Sequence, residues 1–318
     1  MPKLYIVMYH YVRNLKYSRF PELKGLDLEL FKEQIKFLKN NFNIIRMEDV
    51  IAYYTENYVL PENAVLLTFD DGYSDNYLNV FPILQEEKLQ GSFFIPAKTF
   101  IEHQVLDVNK VHFVLASTNI NNLIQDLFQE LDYYRGREYD IPSNQELFHT
   151  YAKEERFDKK ETIFVKRLLQ TVLPEKLRNR IASNMFDKYV GLSEEKFAYE
   201  LYVNYEQIKC MKRAGMYIGI HGYNHYWLGN LEVEKMQKDI KRALEVMGDM
   251  VVSDSWVMNY PYGSYNDEVI SYIKDKGCVL GLTTDVKIAD LSADNRYLLP
   301  RLDTNDFPPK SENYTKIH

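Results

Sequence analysis

Short apolar runs alternate with helix-periodic stretches along most of the chain. Residues 4–9 form a first apolar run of strand length. A polar segment follows, and Asp27 then opens a helix in which Leu28, Phe31, Ile35, Leu38 and Phe42 share one face. A short apolar stretch at 42–45 and a second helix at 47–54 lead to Pro61 and a buried strand at 64–69. Ser74 or Asp75 is placed to cap a helix running toward Lys88, which Pro82 should kink or restart. Residues 91–96 read as another strand.

From about residue 100 to 203 the pattern changes. This segment is rich in Glu, Lys, Leu and Phe, with helical spacing at Ile163, Val165, Leu168 and Leu169 and few strand signals. The alternation then resumes. A helix from Tyr205 is ended by Gly215 and followed by a strand at 216–220, a helix at 232–247 and a strand at 255–260. A helix at 267–276 ended by Gly277, a strand at 278–283 and a final apolar piece at 297–302 complete the order. Strands alternating with helices imply a mainly parallel sheet, and about seven or eight of them suggest closure. The expectation is an α/β fold, a distorted TIM-like (β/α) barrel of about seven strands, forming one domain over 1–318 with a mainly helical insertion at about 100–203.

Composition changes this picture little. A chain of 318 residues with 46% hydrophobic residues can bury a large core. A net charge of -7 and a pI near 5.6 argue against a nucleic-acid partner, which needs a concentrated basic surface. Cys210 and Cys278 form no disulfide framework, although one bridge is open to them. The N-terminal run is a poor signal peptide, and no apolar stretch approaches the ~20 residues that span a bilayer. No transmembrane segment and a cytoplasmic location are therefore expected. The 26 tyrosines suit stacking on sugar rings, and core packing explains most of them equally well.

The chemistry gathers where strands end. The run at 64–69 stops abruptly at Asp70-Asp71-Gly72, so a strand delivers two carboxylates to a loop. A plain turn is the competing reading. His221 and His225 follow the strand at 216–220, and two histidines four apart can converge on one metal ion. With a carboxylate from another strand end they make a ligand set for a hydrolytic Zn or related divalent ion. A third strand end carries Asn259-Tyr260-Pro261-Tyr262-Gly263, where the backbone N–H of Tyr262 is placed to face a developing oxyanion.

Together these segments resemble the polysaccharide deacetylase family, the NodB-homology domain of carbohydrate esterase family 4. The family's Thr-Phe-Asp-Asp-Gly motif stands complete at Thr68 to Gly72, its paired-histidine motif at His221 and His225, and its Pro-Tyr-Gly motif at Pro261 to Gly263. The resemblance covers about residues 1–100 and 205–302. It implies that Asp71, His221 and His225 hold one divalent metal ion, Zn first and Co or Ni as alternatives. It further implies that Asp70 is the base that takes a proton from the attacking water, and that the Tyr262 amide stabilises the tetrahedral oxyanion. The implied substrate is an N-acetylated amino sugar in a glycan or its precursor.

Three positions depart from the family pattern. Gly222 stands where a Ser or Thr usually steadies the metal loop, and Asn259 where an arginine usually pairs with the base. The late histidine that acts as general acid is missing, since His318 is a poor candidate. Arg301 is a candidate to replace the arginine. His10, ending the first strand, is a candidate acid, as in the subgroup of the family whose acid-bearing motif has moved to the N-terminus. A surface arginine and a structural histidine are the competing readings. Tyr73, Tyr223, Tyr226, Trp227 and Tyr265 are candidates to stack on sugar rings. Two other functions stay open at this point: a catalytically impaired carbohydrate-binding protein on the same fold, and an amidohydrolase of a non-sugar C–N bond.

Overall fold

A computed structural model of the chain describes residues 3–317; His318 lies outside them. The described residues fold as two compact units, 3–14 with 25–104 and 198–317, and 15–24 with 105–197.

The first unit is built on one nine-stranded sheet. Lys3–Tyr9, Ala64–Phe69, Ser92–Ile95, Tyr217–Ile220, Trp256–Asn259 and Cys278–Leu282 lie side by side in that order, each parallel to the next. Ala289–Asp290 adds an antiparallel edge beside Lys3–Tyr9. The strands read as continuous apolar runs because helices and the barrel interior bury both faces. Leu4, Ile6, Leu66, Phe94, Val257 and Leu280 fill one side, while Val7, Tyr9, Val65, Phe69, Phe93 and Trp256 pack beneath the helices.

Closure depends on one irregular segment. The Leu299 N–H donates to Gly281 O and Leu299 O accepts from the Thr283 N–H, at 2.8 and 2.9 Å. Three residues later Leu302 and Asp303 pair in parallel with Val7 and Met8. Residues 299–303 thus span from the last long strand back to the first, giving the distorted TIM-like α/β barrel that the alternation implies.

The helices begin where the sequence signals them. Asp27 caps Leu28–Asn41 by accepting from the Glu29 N–H, and Phe31, Ile35 and Leu38 face the core. Phe42 is already extended and ends that helix instead of continuing its face. The segment after Gly72 differs from expectation. Neither Ser74 nor Asp75 caps a helix, because Ser74 Oγ donates to Glu200 O and Asp75 accepts from the Val12 N–H and Arg13 Nε. Before Pro82 the chain forms a wide turn at Asn76–Val80, in which the Phe81 N–H donates to Asn76 O, and an ordinary helix Phe81–Glu86 follows. Proline has no N–H for the regular ladder and its ring crowds the preceding turn, so the widening sits just ahead of it.

The second unit is helical. Ile120–Tyr134, Asn144–Tyr151, Lys160–Arg167 and Glu175–Tyr189 bury Leu123, Leu127, Leu131, Phe164, Leu177 and Ile181. Residues 15–24 belong to it as well. Phe20 packs edge-on against Phe113 and Phe197, and Lys24 pairs with Asp158, which also binds Lys166 at 2.7 Å. No helix among the described residues is long and apolar enough to cross a membrane. Cys210 and Cys278 are free thiols, and burial pushes that of Cys278 up to about 12.

Candidate active site

Register places the chemistry. Tyr9 pairs with Phe69, so His10 and Asp70 leave their strands at the same level, and Ile220 beside Met258 brings His221 level with Asn259. All four stand at the carboxyl ends of parallel strands, where side chains project from a rigid floor into open space.

Asp70 and Asp71 diverge because the strand stops between them. Asp70 still joins the ladder, its N–H donating to Tyr9 O at 2.9 Å. Asp71 has φ 68° and Gly72 φ 65°, and the two left-handed residues turn the chain under the barrel rim. A Cβ on Gly72 would lie 2.6 Å from Ile95 Cγ2, so this close approach needs glycine. The Val203 N–H donates to Gly72 O and ties the loop from the other side.

Asp71, His221 and His225 converge. Asp71 Oδ1 lies 3.3 Å from His221 Nε2 and 3.1 Å from His225 Nε2, and one ligand atom from each residue fits within 4.8 Å of the others. His221 Nδ1 is 2.6 Å from Asn259 O. A carbonyl can only accept, so Nδ1 carries the hydrogen and Nε2 presents its lone pair. Asp71 Oδ2 accepts from the Tyr73 hydroxyl, whereas Asp71 Oδ1 is buried with no hydrogen-bond partner. Burial alone would raise the Asp71 pKa, but the adjacent imidazoles, His225 first, outweigh it and hold it well below the carboxylate range. A buried anionic oxygen without a donor, facing two imidazole nitrogens, fits a divalent cation.

Asp70 sits in a different environment. Arg301, 1% exposed, grips it with Nη1 to Oδ1 and Nη2 to Oδ2, both at 2.8 Å. The guanidinium is itself fixed, since Nε donates to Thr283 O and Nη1 also reaches Thr68 Oγ1. Asn259 Nδ2 adds a third donor at 2.7 Å to Oδ1. Burial would raise the Asp70 pKa, and the Arg301 charge and hydrogen bonds, with His10 and His221 behind them, outweigh it and keep it lowered. His10 Nε2 is 3.8 Å from Asp70 Oδ2, and its side chain is 38% exposed. The surface reading of Arg301 therefore fails, and His10 stands at the cluster.

Tyr262 has φ 58° and turns the chain sharply at the rim. Its ring lies 4.6 Å from that of His225 and stacks on Trp227 at 4.3 Å, with 8° between the planes. Several expected sugar platforms are occupied elsewhere. Tyr73 is fully buried, bonded to Asp71 and stacked on Tyr11 at 3.9 Å, and Tyr223 is buried with its hydroxyl donating to Glu102. Tyr226 and Tyr265 are both partly exposed and packed against the core, Tyr226 beneath Lys235 and Tyr265 beside Tyr260. The contributions of Thr68, Tyr73 and the Asn259 amide were not legible in sequence, because each acts through a hydrogen bond whose partner is set by register or by a turn.

The family model for polysaccharide deacetylase matches residues 57–130 and 182–281, more than half of the chain. Among curated proteins, YxkH of Bacillus subtilis, a candidate polysaccharide deacetylase, is 20% identical over 284 residues, covering 89% of this chain and 65% of its own length. The poly-beta-1,6-N-acetyl-D-glucosamine N-deacetylase of Escherichia coli K12 is 42% identical over 55 residues, which cover 17% of this chain and 8% of that enzyme. The chain thus spans less than two thirds of these curated relatives. Two solved structures share the fold. Streptococcus pyogenes deacetylase PplD, in complex with acetate, has a TM-score of 0.60 at 17% identity, covering 99% of this chain and 98% of that one. IcaB from Ammonifex degensii has a TM-score of 0.54 at 17% identity, covering 95% and 91%. By the matched family model, and by the motifs gathered on one barrel rim, the chain belongs to the polysaccharide deacetylase family.

Proposed function

We propose that this chain is a metal-dependent hydrolase that removes N-acetyl groups from an amino-sugar-containing glycan or glycan precursor. The observation that carries the reading is the pair of unlike carboxylates at one strand end. Asp71 Oδ1 is buried, unpartnered and faces two imidazole nitrogens, while Asp70 is held ionised by Arg301 beside it.

Asp71, His221 and His225 would hold the ion, and a set of two nitrogens and one oxygen suits Zn, with Co or Ni as alternatives. When bound, such an ion supplies Lewis acidity and lowers the pKa of water toward ~7. Asp70 is the general base. Because Arg301 and Asn259 fix both of its oxygens, it accepts the proton of the attacking water without reorienting. Water adds to the acetamide carbonyl carbon, and the backbone N–H of Tyr262 faces the oxyanion that forms. The C–N bond then breaks, His10 gives a proton to the departing amine, and acetate and a free amino sugar result. Partial exposure lets His10 exchange its proton with solvent. The name of the Escherichia coli relative supports a β-linked N-acetylglucosamine polymer as a first substrate to try.

Acetate release from N-acetylglucosamine oligomers, with and without added Zn or Co, tests the reading. Release that stops with a chelator and returns with metal is expected. Metal bound stoichiometrically with no acetate from any acetylated glycan would instead favour a carbohydrate-binding role, and release from small amides alone would favour the amidohydrolase.

A further inference from the structure

Asp239 is a carboxylate that the proposed chemistry does not use. It lies on the helix Val233–Met247, is 3% exposed, and forms no ion pair with Lys or Arg among the described residues. Its oxygens are spent on the segment joining the two histidines. Oδ2 accepts from the Tyr223 N–H at 2.9 Å, and Oδ1 accepts from the Asn224 N–H at 3.0 Å and from Asn224 Nδ2 at 2.8 Å. The carbonyls of the same segment are held from the opposite side, where the Ala97 N–H donates to Gly222 O and the Lys98 N–H to Tyr223 O. Backbone donors and acceptors are thus fixed separately, and the chain between His221 and His225 has little freedom left.

Gly222 completes the arrangement. It has φ 69°, and a Cβ there would stand 3.0 Å from Asp239 Oδ2. The carboxylate therefore occupies the space beside position 222, and glycine makes room for it. We infer that Gly222 and Asp239 form a matched pair that presets the metal-binding loop, with the Asp239 carboxylate replacing the hydroxyl that family members carry at position 222. Asp239 is then a positioning residue. It holds His225, left-handed at φ 58°, with Nε2 toward Asp71 before any ion arrives. This inference rests on the metal reading above.

Two variants reach the same contact from opposite sides. Asp239→Asn replaces one acceptor by a donor facing backbone N–H groups, and Gly222→Ala drives a methyl group against Oδ2. Calorimetric titration of Zn into the metal-free full chain, with the visible spectrum of the Co-loaded chain, reads the outcome without turnover. Each variant is expected to bind Zn 10- to 100-fold more weakly than the parent and to shift the Co spectrum, while the metal-free chain, melting somewhat lower, still unfolds in one cooperative transition. Asp75→Asn, at an equally buried carboxylate bonded to the Val12 N–H, should leave Zn affinity unchanged. Parent-like Zn affinity in both variants would overturn the inference, and so would failure of both to fold, since the pair would then serve the fold and not the loop. A parent chain that binds neither Zn nor Co would overturn the metal reading itself.

Discussion

Asp70 and Asp71 are neighbours with opposite needs, and the structure meets them with different partners. Asp70 receives three donors and a full positive charge, whereas Asp71 keeps one oxygen unpartnered. Asp70→Asn should therefore retain metal and lose acetate release by about 100-fold or more, the usual worth of a positioned base. His221→Ala should lose both, because it removes one of the three proposed ligands. Inductively measured metal content alongside acetate assays separates the two, and full activity in Asp70→Asn would remove Asp70 from the base role. Arg301→Gln leaves a buried carboxylate without its countercharge, and urea unfolding should show a loss of about 3 kcal/mol. Asp70 and the two histidines were legible because a motif carries them. Arg301 was reachable only as one candidate, since its sequence context, Pro300-Arg301-Leu302, says nothing of the 231 positions separating it from Asp70.

At the scale of elements, strand ends and helix starts were the legible parts. Asp27 caps its helix as its position implied, and the strand Ala64–Phe69 ends where the apolar run ends. The turn after it was not legible, because Ser74 and Asp75 look like caps and were recruited by Glu200 and Arg13, partners remote in sequence. Gly72 decides whether that turn forms. Gly72→Ala must hold an L-residue at φ 65° against Ile95, and we expect a loss of about 1–3 kcal/mol in urea unfolding together with weakened metal binding. In the helical unit, Lys24 and Lys166 both hold Asp158. Burial would raise its pKa, and the two lysines reverse the sign and lower it. Its contribution is therefore complete above the ordinary carboxylate pKa of ~3.9 and fades as pH falls through the lower folded value. Asp158→Asn should cost up to about 1 kcal/mol near pH 7, with the gap to the parent closing in acid. A gap constant across a pH series would argue against the pairing.

For the whole molecule, the barrel was legible from alternation because each strand is buried on both faces and reads as an unbroken apolar run. The assignment of residues 15–24 to the helical unit was not, since a polar segment with one anchoring phenylalanine carries no period. A cation that binds only the folded chain also stabilises it by mass action. Stripping the parent with a chelator should lower its melting temperature, while His225→Ala should melt at one temperature in either condition.

Residues 299–303 give the fold a direction in time. They are the stretch that joins the last long strand to the first, and they carry the guanidinium that neutralises Asp70. During synthesis the ribosome delivers Asp70, its strand and both histidines well before this stretch emerges. Without this stretch the sheet lacks its closing contacts and Asp70 its countercharge. The Asp70 carboxylate thus receives its countercharge from the same residues that shut the barrel.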